Sequence, residues 1–202
     1  MANFITISRM ILAIITVLLL FKHTNTVYIT AFILTILVIW MDGLDGFFAR
    51  LLHESSKFGA LLDILGDRVV ENVYWITFAV VLPEYVPVWI PLVVVTRGLL
   101  TDGVRSVAFE KGYTAFGSTT MMQGKIAKFI VASNFVRFSY AVCKAMAFAL
   151  IIAANIPADY MYKDTVSTIA IICTYVTVFL CVLRGVPVLI ESRRFFKNDE
   201  QQ

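Results

Sequence analysis

The chain has 202 residues, of which 59% are hydrophobic and 15% charged, and its mean hydropathy is +0.83. This composition excludes an ordinary soluble domain and fits an integral membrane protein, with room for about six membrane helices joined by short connections. The net charge of +3 comes without a basic run, so nothing indicates a nucleic-acid partner.

Apolar runs predict six helices, at about 4–22, 27–50, 58–82, 86–108, 124–155 and 165–190. The breaks between them hold residues that end helices or form turns, namely Thr24-Asn25-Thr26, Pro83 and Pro87, the stretch from Gly112 to Gly117, and the stretch from Pro157 to Asp164. The first run is not followed by a small-residue cleavage site, so we interpret it as structure rather than as a signal peptide. The sequence therefore predicts one all-α membrane domain over residues 1–202.

The basic residues predict the orientation of this domain. Six spans place both termini on the same side of the membrane, and most arginines and lysines fall on that side. The opposite loops carry only Lys22 and Lys163. By the positive-inside rule, the termini and the 109–123 loop are expected to face the cytoplasm.

Four aspartates between Asp42 and Asp67 are predicted to form two helical stripes. The first stripe has the spacing i, i+3, i+4, i+7 and consists of Asp42, Asp45, Gly46 and Ala49. The second has the spacing i, i+4, i+8 and consists of Gly59, Asp63 and Asp67. A carboxylate inside a membrane costs about 2.5–3.5 kcal/mol on insertion scales, and clustered carboxylates also repel one another. Divalent cations, which prefer oxygen ligands, would neutralise them, so this stretch predicts a metal site near the cytoplasmic face.

The same stretch reads D-x-x-D-G-x-x-A-R-x8-G-x-x-x-D-x-x-x-D from Asp42 onward. This pattern resembles the signature of the CDP-alcohol phosphatidyltransferases, which are integral membrane enzymes of phospholipid synthesis. Its eight fixed identities make the resemblance specific, although it covers only 26 of the 202 residues. Helix number and chain length also agree with that family.

The resemblance implies an enzyme that transfers the phosphatidyl group of CDP-diacylglycerol to an alcohol and releases CMP. Two divalent cations, Mg²⁺ or Mn²⁺, would neutralise and orient the diphosphate. The implied metal ligands are Asp42, Asp45, Asp63 and Asp67. Asp67 is also the implied general base, which takes the proton of the acceptor hydroxyl.

Small and basic residues beside the aspartates are expected to contact CDP-diacylglycerol. Gly46, Ala49 and Gly59 lack bulky side chains, so a nucleotide can approach the backbone there; close helix packing is the alternative. Arg50 can bind phosphate oxygens, or instead form a salt bridge or anchor the helix at the membrane surface.

The first residues carry a weaker resemblance. The spacing of Asn3, Thr6 and Arg9 is similar to the start of bacterial phosphatidylglycerophosphate synthases. It implies a short amphipathic segment along the membrane interface, with Thr6 lining the nucleotide pocket. The alternative is that Asn3 or Thr6 simply caps the first helix.

Four cations near the cytoplasmic helix ends are candidates for binding an anionic acceptor: Arg105, Lys125, Lys128 and Arg184. Membrane anchoring or lipid-headgroup contact explains them equally well. The stretch from Thr96 to Arg105 resembles phosphatidylglycerophosphate synthases, which favours glycerol 3-phosphate as the acceptor. The Arg184-Gly185 pair is instead similar to phosphatidylinositol phosphate synthases, so inositol phosphate is the alternative and phosphatidylglycerol a third acceptor. Arg137 and Lys144, seven residues apart on the predicted fifth helix, have no assigned role.

Two other classes of function are compatible with intramembrane carboxylates. A divalent-cation transporter could use the aspartates as a transit site, but it would not explain the fixed glycine, alanine and arginine spacings. A scaffold protein could pair them with Arg50, Lys57 and Arg68, although Arg68 is predicted to pair with Glu71 three residues later. The resemblance further implies a homodimer in a bilayer, most naturally the bacterial inner membrane.

Overall fold

The computed structural model describes residues 2–51, 57–110 and 124–199, and the described part is helical. Its helices are α1 (Ala2–Leu19), α2 (Asn25–Leu51), α3 (Lys57–Val81), α4 (Trp89–Glu110), α5 (Lys125–Ala132), α6 (Asn134–Ala154) and α7 (Lys163–Asp199). A short 3₁₀ turn, Leu20–Lys22, follows α1. The all-α prediction is confirmed for these residues.

Four segments are long and apolar enough to cross a membrane: Asn3–Lys22, Asn25–Gly43, Asn134–Ala154 and Lys163–Arg193. They expose many large apolar side chains, among them Leu18, Ile33, Phe138 and Phe179, as expected for helices that contact lipid. The six predicted spans are therefore supported at four positions. Helices α3 and α4 each carry several charged residues in their apolar stretches, which sets them apart from the other four.

Three details of the predicted helices are wrong. The predicted helix 124–155 is two helices, because Ser133 has an extended backbone (φ −64°, ψ 127°) between α5 and α6. The last helix extends to Asp199, beyond the predicted end at residue 190, although its interior Pro187 already lay within the predicted range. Residues 2–19 form one helix, so the segment from Asn3 to Arg9 is not a separate interfacial element.

The helices divide into two compact units. The first unit contains α1, α2, α3, the end of α6 and the start of α7. Helix α1 packs against both α2 and α3. Phe148 of α6 stacks on Tyr74 of α3 with ring centroids 4.7 Å apart, and its ring also meets Trp75 edge-on at 5.0 Å. The Tyr74 hydroxyl lies 2.9 Å from the Thr35 hydroxyl of α2, so this aromatic cluster fixes α3 against two neighbours.

The second unit contains most of α4, all of α5, the start of α6 and the end of α7. Ala108, Val131 and Val188 form its buried apolar cluster. At the start of α5, the Gly124 amide donates a 3.0 Å hydrogen bond to Glu191 Oε1 of α7. These contacts hold α4, α5 and α7 together.

Candidate active site

Both predicted stripes lie on helices. Helix α2 continues to Leu51 and carries the first stripe without a break, and α3 begins at Lys57 and carries the second. Backbone positions alone are described for Asp45, Gly46, Ala49 and Arg50, so the predictions for their side chains lie outside the described part of the chain. Gly59 lies in the first turn of α3.

Arg9 of α1 joins the two stripes. Its Nη2 donates a 2.8 Å hydrogen bond to Asp67 Oδ1 on α3, and its Nη1 forms an ion pair with Asp42 on α2. The Arg9 side chain is only 1% exposed, whereas those of Asp42 and Asp67 are 55% and 52% exposed. Two open carboxylates from different helices therefore converge on one buried positive group.

The arrangement of these carboxylates indicates whether the residues suit a metal ion. Carboxylate oxygens that meet around one cationic group are the donors that hard divalent cations prefer. Asp63 lies one helical turn before Asp67 and is exposed. Among the side chains that the structure describes, no three histidine, cysteine, aspartate or glutamate residues form a metal-binding group. The fit thus rests on the oxygen donors of Asp42 and Asp67, with Asp63 on the same helix face as Asp67.

Sequence reasoning assigned Arg9 no role in the site. Its only signal was the spacing of Asn3, Thr6 and Arg9, which suggested a nucleotide contact for Thr6. In the structure Thr6 is buried, with 3% of its surface exposed, and its methyl group faces α3. A contact between Thr6 and the nucleotide stays a prediction.

Gly66 lets α1 approach α3 at this point. A Cβ atom at residue 66 would lie 2.6 Å from Thr6 Cγ2 and 3.4 Å from Arg9 Nη2. Real side chains do not tolerate the first distance, and the threonine methyl cannot easily move because β-branched side chains are stiff. Gly66 therefore permits the helix contact that brings Arg9 to the aspartates.

Gly66→Ala is expected to destabilise the protein by about 1–3 kcal/mol, which is typical of overpacking, and to lower its melting temperature by several degrees. Thr6→Ser removes the clashing methyl group, so the double variant should recover most of the loss. Gly43→Ala is the matched control, since nothing lies within 4 Å of a Cβ atom there. Thermal unfolding in detergent measures all three, and equal melting temperatures for Gly66→Ala and wild type would contradict the close contact.

A second charged group lies in the second unit, around the buried Tyr140 of α6. The Tyr140 ring centroid is 5.3 Å from Arg184 Cζ, 5.4 Å from Lys144 Nζ and 5.8 Å from Arg97 Cζ. These distances suit cation–π contacts, in which the aromatic ring stabilises each positive charge. Because the three cations repel one another, an anion with several oxygen atoms would stabilise this Tyr140 cluster.

Helix α7 holds Arg97 in place. Arg97 Nε donates a 3.0 Å hydrogen bond to the Cys181 carbonyl oxygen and lies 3.1 Å from Cys181 Sγ. A Cβ atom at Gly185 would lie 2.5 Å from Arg97 Cγ, so glycine there leaves the space that Arg97 occupies. The Nε atom of Arg184 is buried and has no hydrogen-bond partner among the described residues. Arg97 is therefore fixed, and Arg184 retains donor capacity.

The predicted acceptor residues have different immediate contacts in the structure. Arg184 belongs to the Tyr140 cluster, Arg105 forms a 3.8 Å ion pair with Asp102, and Lys128 is exposed on α5. The side chain of Lys125 lies outside the described part. Sequence reasoning missed Arg97 as a member of this cluster and left Lys144 without a role. The predicted pair of Arg68 and Glu71 is confirmed at 3.2 Å.

Comparison with known proteins identifies a family and several relatives. The model of the CDP-alcohol phosphatidyltransferase family matches residues 1–191. A CDP-diacylglycerol–glycerol-3-phosphate 3-phosphatidyltransferase of Pseudomonas fluorescens is 30% identical over 57% of this chain and 59% of its own length. An enzyme of the same name from Aquifex aeolicus is 39% identical over 33% of this chain and 36% of its own length. A protein of Mycobacterium tuberculosis, provisionally named a cardiolipin synthase, is 39% identical over 44% of this chain and 40% of its own length.

These alignments cover less than two thirds of each relative. Two of these relatives are named as transferases that act on glycerol 3-phosphate, and the third is named as a cardiolipin synthase.

Proposed function

Because this chain belongs to the CDP-alcohol phosphatidyltransferase family, we propose that it transfers the phosphatidyl group of CDP-diacylglycerol to glycerol 3-phosphate and releases CMP. The observation that carries the proposal is the convergence of Asp42 and Asp67, from two helices, on one buried positive group. Relatives from Pseudomonas fluorescens and Aquifex aeolicus that are named for this reaction support the choice of acceptor.

The four aspartates of the two stripes, Asp42, Asp45, Asp63 and Asp67, are the proposed ligands of two divalent cations, Mg²⁺ or Mn²⁺. When bound, these ions supply neutralisation of the diphosphate and of the charge that develops as CMP leaves. Gly46, Ala49, Arg50 and Gly59, on the same two helices, are proposed to bind the CDP-diacylglycerol itself.

Asp67 is the proposed general base. The acceptor hydroxyl oxygen forms a bond to the phosphatidyl phosphorus, the bond from that phosphorus to the CMP oxygen breaks, and the hydroxyl proton passes to Asp67. Arg9 holds Asp67 Oδ1 from the buried side of the site at 2.8 Å. This contact orients the carboxylate while leaving it half exposed toward substrate.

The Tyr140 cluster supports a phosphorylated alcohol as the acceptor. A phosphate monoester carries up to two negative charges, whereas the phosphodiester of phosphatidylglycerol carries one. The three cations around Tyr140 therefore favour glycerol 3-phosphate or inositol phosphate over phosphatidylglycerol. Arg105, Lys125 and Lys128 remain proposed contributors to acceptor binding.

We further propose that α3 and α4 are the two remaining membrane spans and that the aspartates face the cytoplasm. The distribution of arginine and lysine supports this orientation, and a cytoplasmic site suits a nucleotide-activated substrate. The family resemblance supports a homodimer in a bacterial inner membrane.

The proposal is tested by measuring CMP release from CDP-diacylglycerol and Mg²⁺ by the purified protein in detergent. Parallel reactions contain glycerol 3-phosphate, inositol phosphate or phosphatidylglycerol. Release is expected with glycerol 3-phosphate, and EDTA should abolish it until excess Mg²⁺ is restored. Release only with another acceptor would replace the proposed substrate, and release that resists EDTA would contradict the metal site. A folded protein that releases no CMP but carries Mn²⁺ into liposomes would favour a transporter.

A further inference from the structure

We propose that Arg9 is a built-in counter-cation of the aspartates, which competes with divalent metal ions for the same carboxylates. The inference rests on the proposed function, because it takes the aspartates to be metal ligands. It gives a positioning role to Arg9, which lies on α1 outside the aspartate stripes. It also predicts how the affinity of the site for metal changes when Arg9 is replaced.

The first argument is the identity of the atoms involved. Arg9 meets Oδ1 of Asp42 and Oδ1 of Asp67, so its guanidinium neutralises two of the oxygen donors offered to a metal. A cation bound to those carboxylates would lie close to the Arg9 charge and be repelled by it. Metal binding must therefore weaken these two contacts.

The second argument is that Arg9 cannot simply leave for solvent. Its side chain is 1% exposed, and α1 packs against α2 and α3 on both sides of it. Gly66 and Thr6 close the space beside it. A Cβ atom added at residue 66 would lie only 3.4 Å from Arg9 Nη2. A buried charge needs partners, so before metal binds Arg9 depends on Asp42 and Asp67 as much as they depend on Arg9.

The consequence is an exchange between two ways of neutralising the aspartates. Without metal, Arg9 holds α1, α2 and α3 together through its ion pairs. When a metal ion binds, Arg9 and the metal share the carboxylates. Metal binding is therefore weaker than it would be without Arg9, by the free energy that is lost as the two Arg9 contacts weaken. If Arg9 only packed the helices, its presence would leave the affinity for metal unchanged. If it only oriented the ligands, its presence would increase that affinity.

The test is direct metal binding by the EDTA-stripped full-length protein in detergent, followed by the loss of the free Mn²⁺ electron paramagnetic resonance signal. Arg9→Gln removes the charge and keeps hydrogen-bonding capacity, and Arg9→Lys keeps the charge. Lys22→Gln is the matched control, since it removes one positive charge from the exposed turn at the other end of α1.

Arg9→Gln is expected to bind Mn²⁺ about 10-fold more tightly than wild type, because two charge-assisted contacts no longer compete. Its melting temperature without metal should fall by about 5 °C, and Mn²⁺ should restore more of it than in wild type. Arg9→Lys and Lys22→Gln should bind Mn²⁺ with nearly wild-type affinity.

Equal or weaker Mn²⁺ binding by Arg9→Gln would overturn the inference while leaving the metal site in place. If Arg9→Gln does not fold, Arg9→Met with the same readout replaces it, and the comparison of Arg9→Lys with wild type remains. A wild-type protein that binds no Mn²⁺ would overturn the metal part of the proposed function, and this inference with it. The two failures are therefore distinguishable.

Discussion

Replacing Asp67 by asparagine is expected to lower the rate of CMP release by about 10²- to 10⁴-fold, the range for loss of a general acid or base. The amide cannot accept the acceptor proton, and it is a poorer metal ligand than a carboxylate. Its carbonyl oxygen can still accept the hydrogen bond from Arg9 Nη2, so the contact between α1 and α3 should persist. Single-turnover CMP release, together with the melting temperature, measures both effects.

Asp159→Asn is the matched control for this variant. Asp159 lies in the exposed connection between α6 and α7, where its carboxylate is 3.8 Å from Lys163 Nζ. An exposed pair of this kind contributes little, so activity and stability should stay at wild-type levels. Normal CMP release by Asp67→Asn, or by Asp45→Asn on the other stripe, would remove the basis for the site assignment. A variant that is inactive and also unfolded would show instead that Asp67 is needed mainly for its ion pair with Arg9.

The sequence predicted most of the fold because its helix ends carry local signals. Thr24 to Thr26 separates α1 from α2, and Pro83 and Pro87 lie between α3 and α4. The break at Ser133 carries a weaker signal: Ser133 and Asn134 are residue types that cap helices, but neighbouring residues include neither glycine nor proline, and apolar residues continue on both sides. The prediction of one continuous helix gave the apolar pattern more weight than these two residues.

The predicted last helix, 165–190, already contained Pro187, and only its end was placed too early. A proline inside a helix removes one backbone hydrogen bond, yet α7 continues past Pro187 to Asp199. The buried Val188 next to it packs with Ala108 and Val131. Apolar packing in the second unit offsets the local cost, and the helix continues.

For the candidate site, periodicity predicted which aspartates share a helix face but not what lies between the two faces. Arg9 is 33 residues before Asp42 and 58 before Asp67, so no spacing rule connects them. The convergence depends on the packing of α1 against two helices and on the absent side chain of Gly66. Similarly, nothing in the sequence distinguished Tyr140 from the other residues of its apolar run, although cations from α4, α6 and α7 lie around its ring.

The two charged groups suit different kinds of ligand. The aspartates of the first unit suit a cation and, through it, a diphosphate, whereas the Tyr140 cluster of the second unit suits an anion directly. Variants in one group should therefore affect different kinetic constants from variants in the other. We expect variants in the first group to change metal dependence and variants in the second to change acceptor affinity.

Arg184→Gln is accordingly expected to raise the KM for glycerol 3-phosphate by about 10- to 100-fold, the loss that corresponds to one hydrogen bond to a charged group. The KM for CDP-diacylglycerol and the Mg²⁺ requirement should change little, because Arg184 is not among the residues proposed to bind either. Inorganic phosphate should compete with glycerol 3-phosphate in wild type and compete more weakly in the variant. Steady-state CMP release at varied acceptor and phosphate concentrations measures these constants.

Arg193→Gln on the same helix is the matched control, since that arginine is exposed and outside the Tyr140 cluster. It should leave both KM values and phosphate competition unchanged. If Arg184→Gln lowered kcat with an unchanged KM for glycerol 3-phosphate, the cluster would act on the chemical step rather than on acceptor binding. If both arginine variants behaved like wild type, the Tyr140 cluster would have no part in acceptor recognition, and the preference for a phosphate monoester over phosphatidylglycerol would lose its structural support.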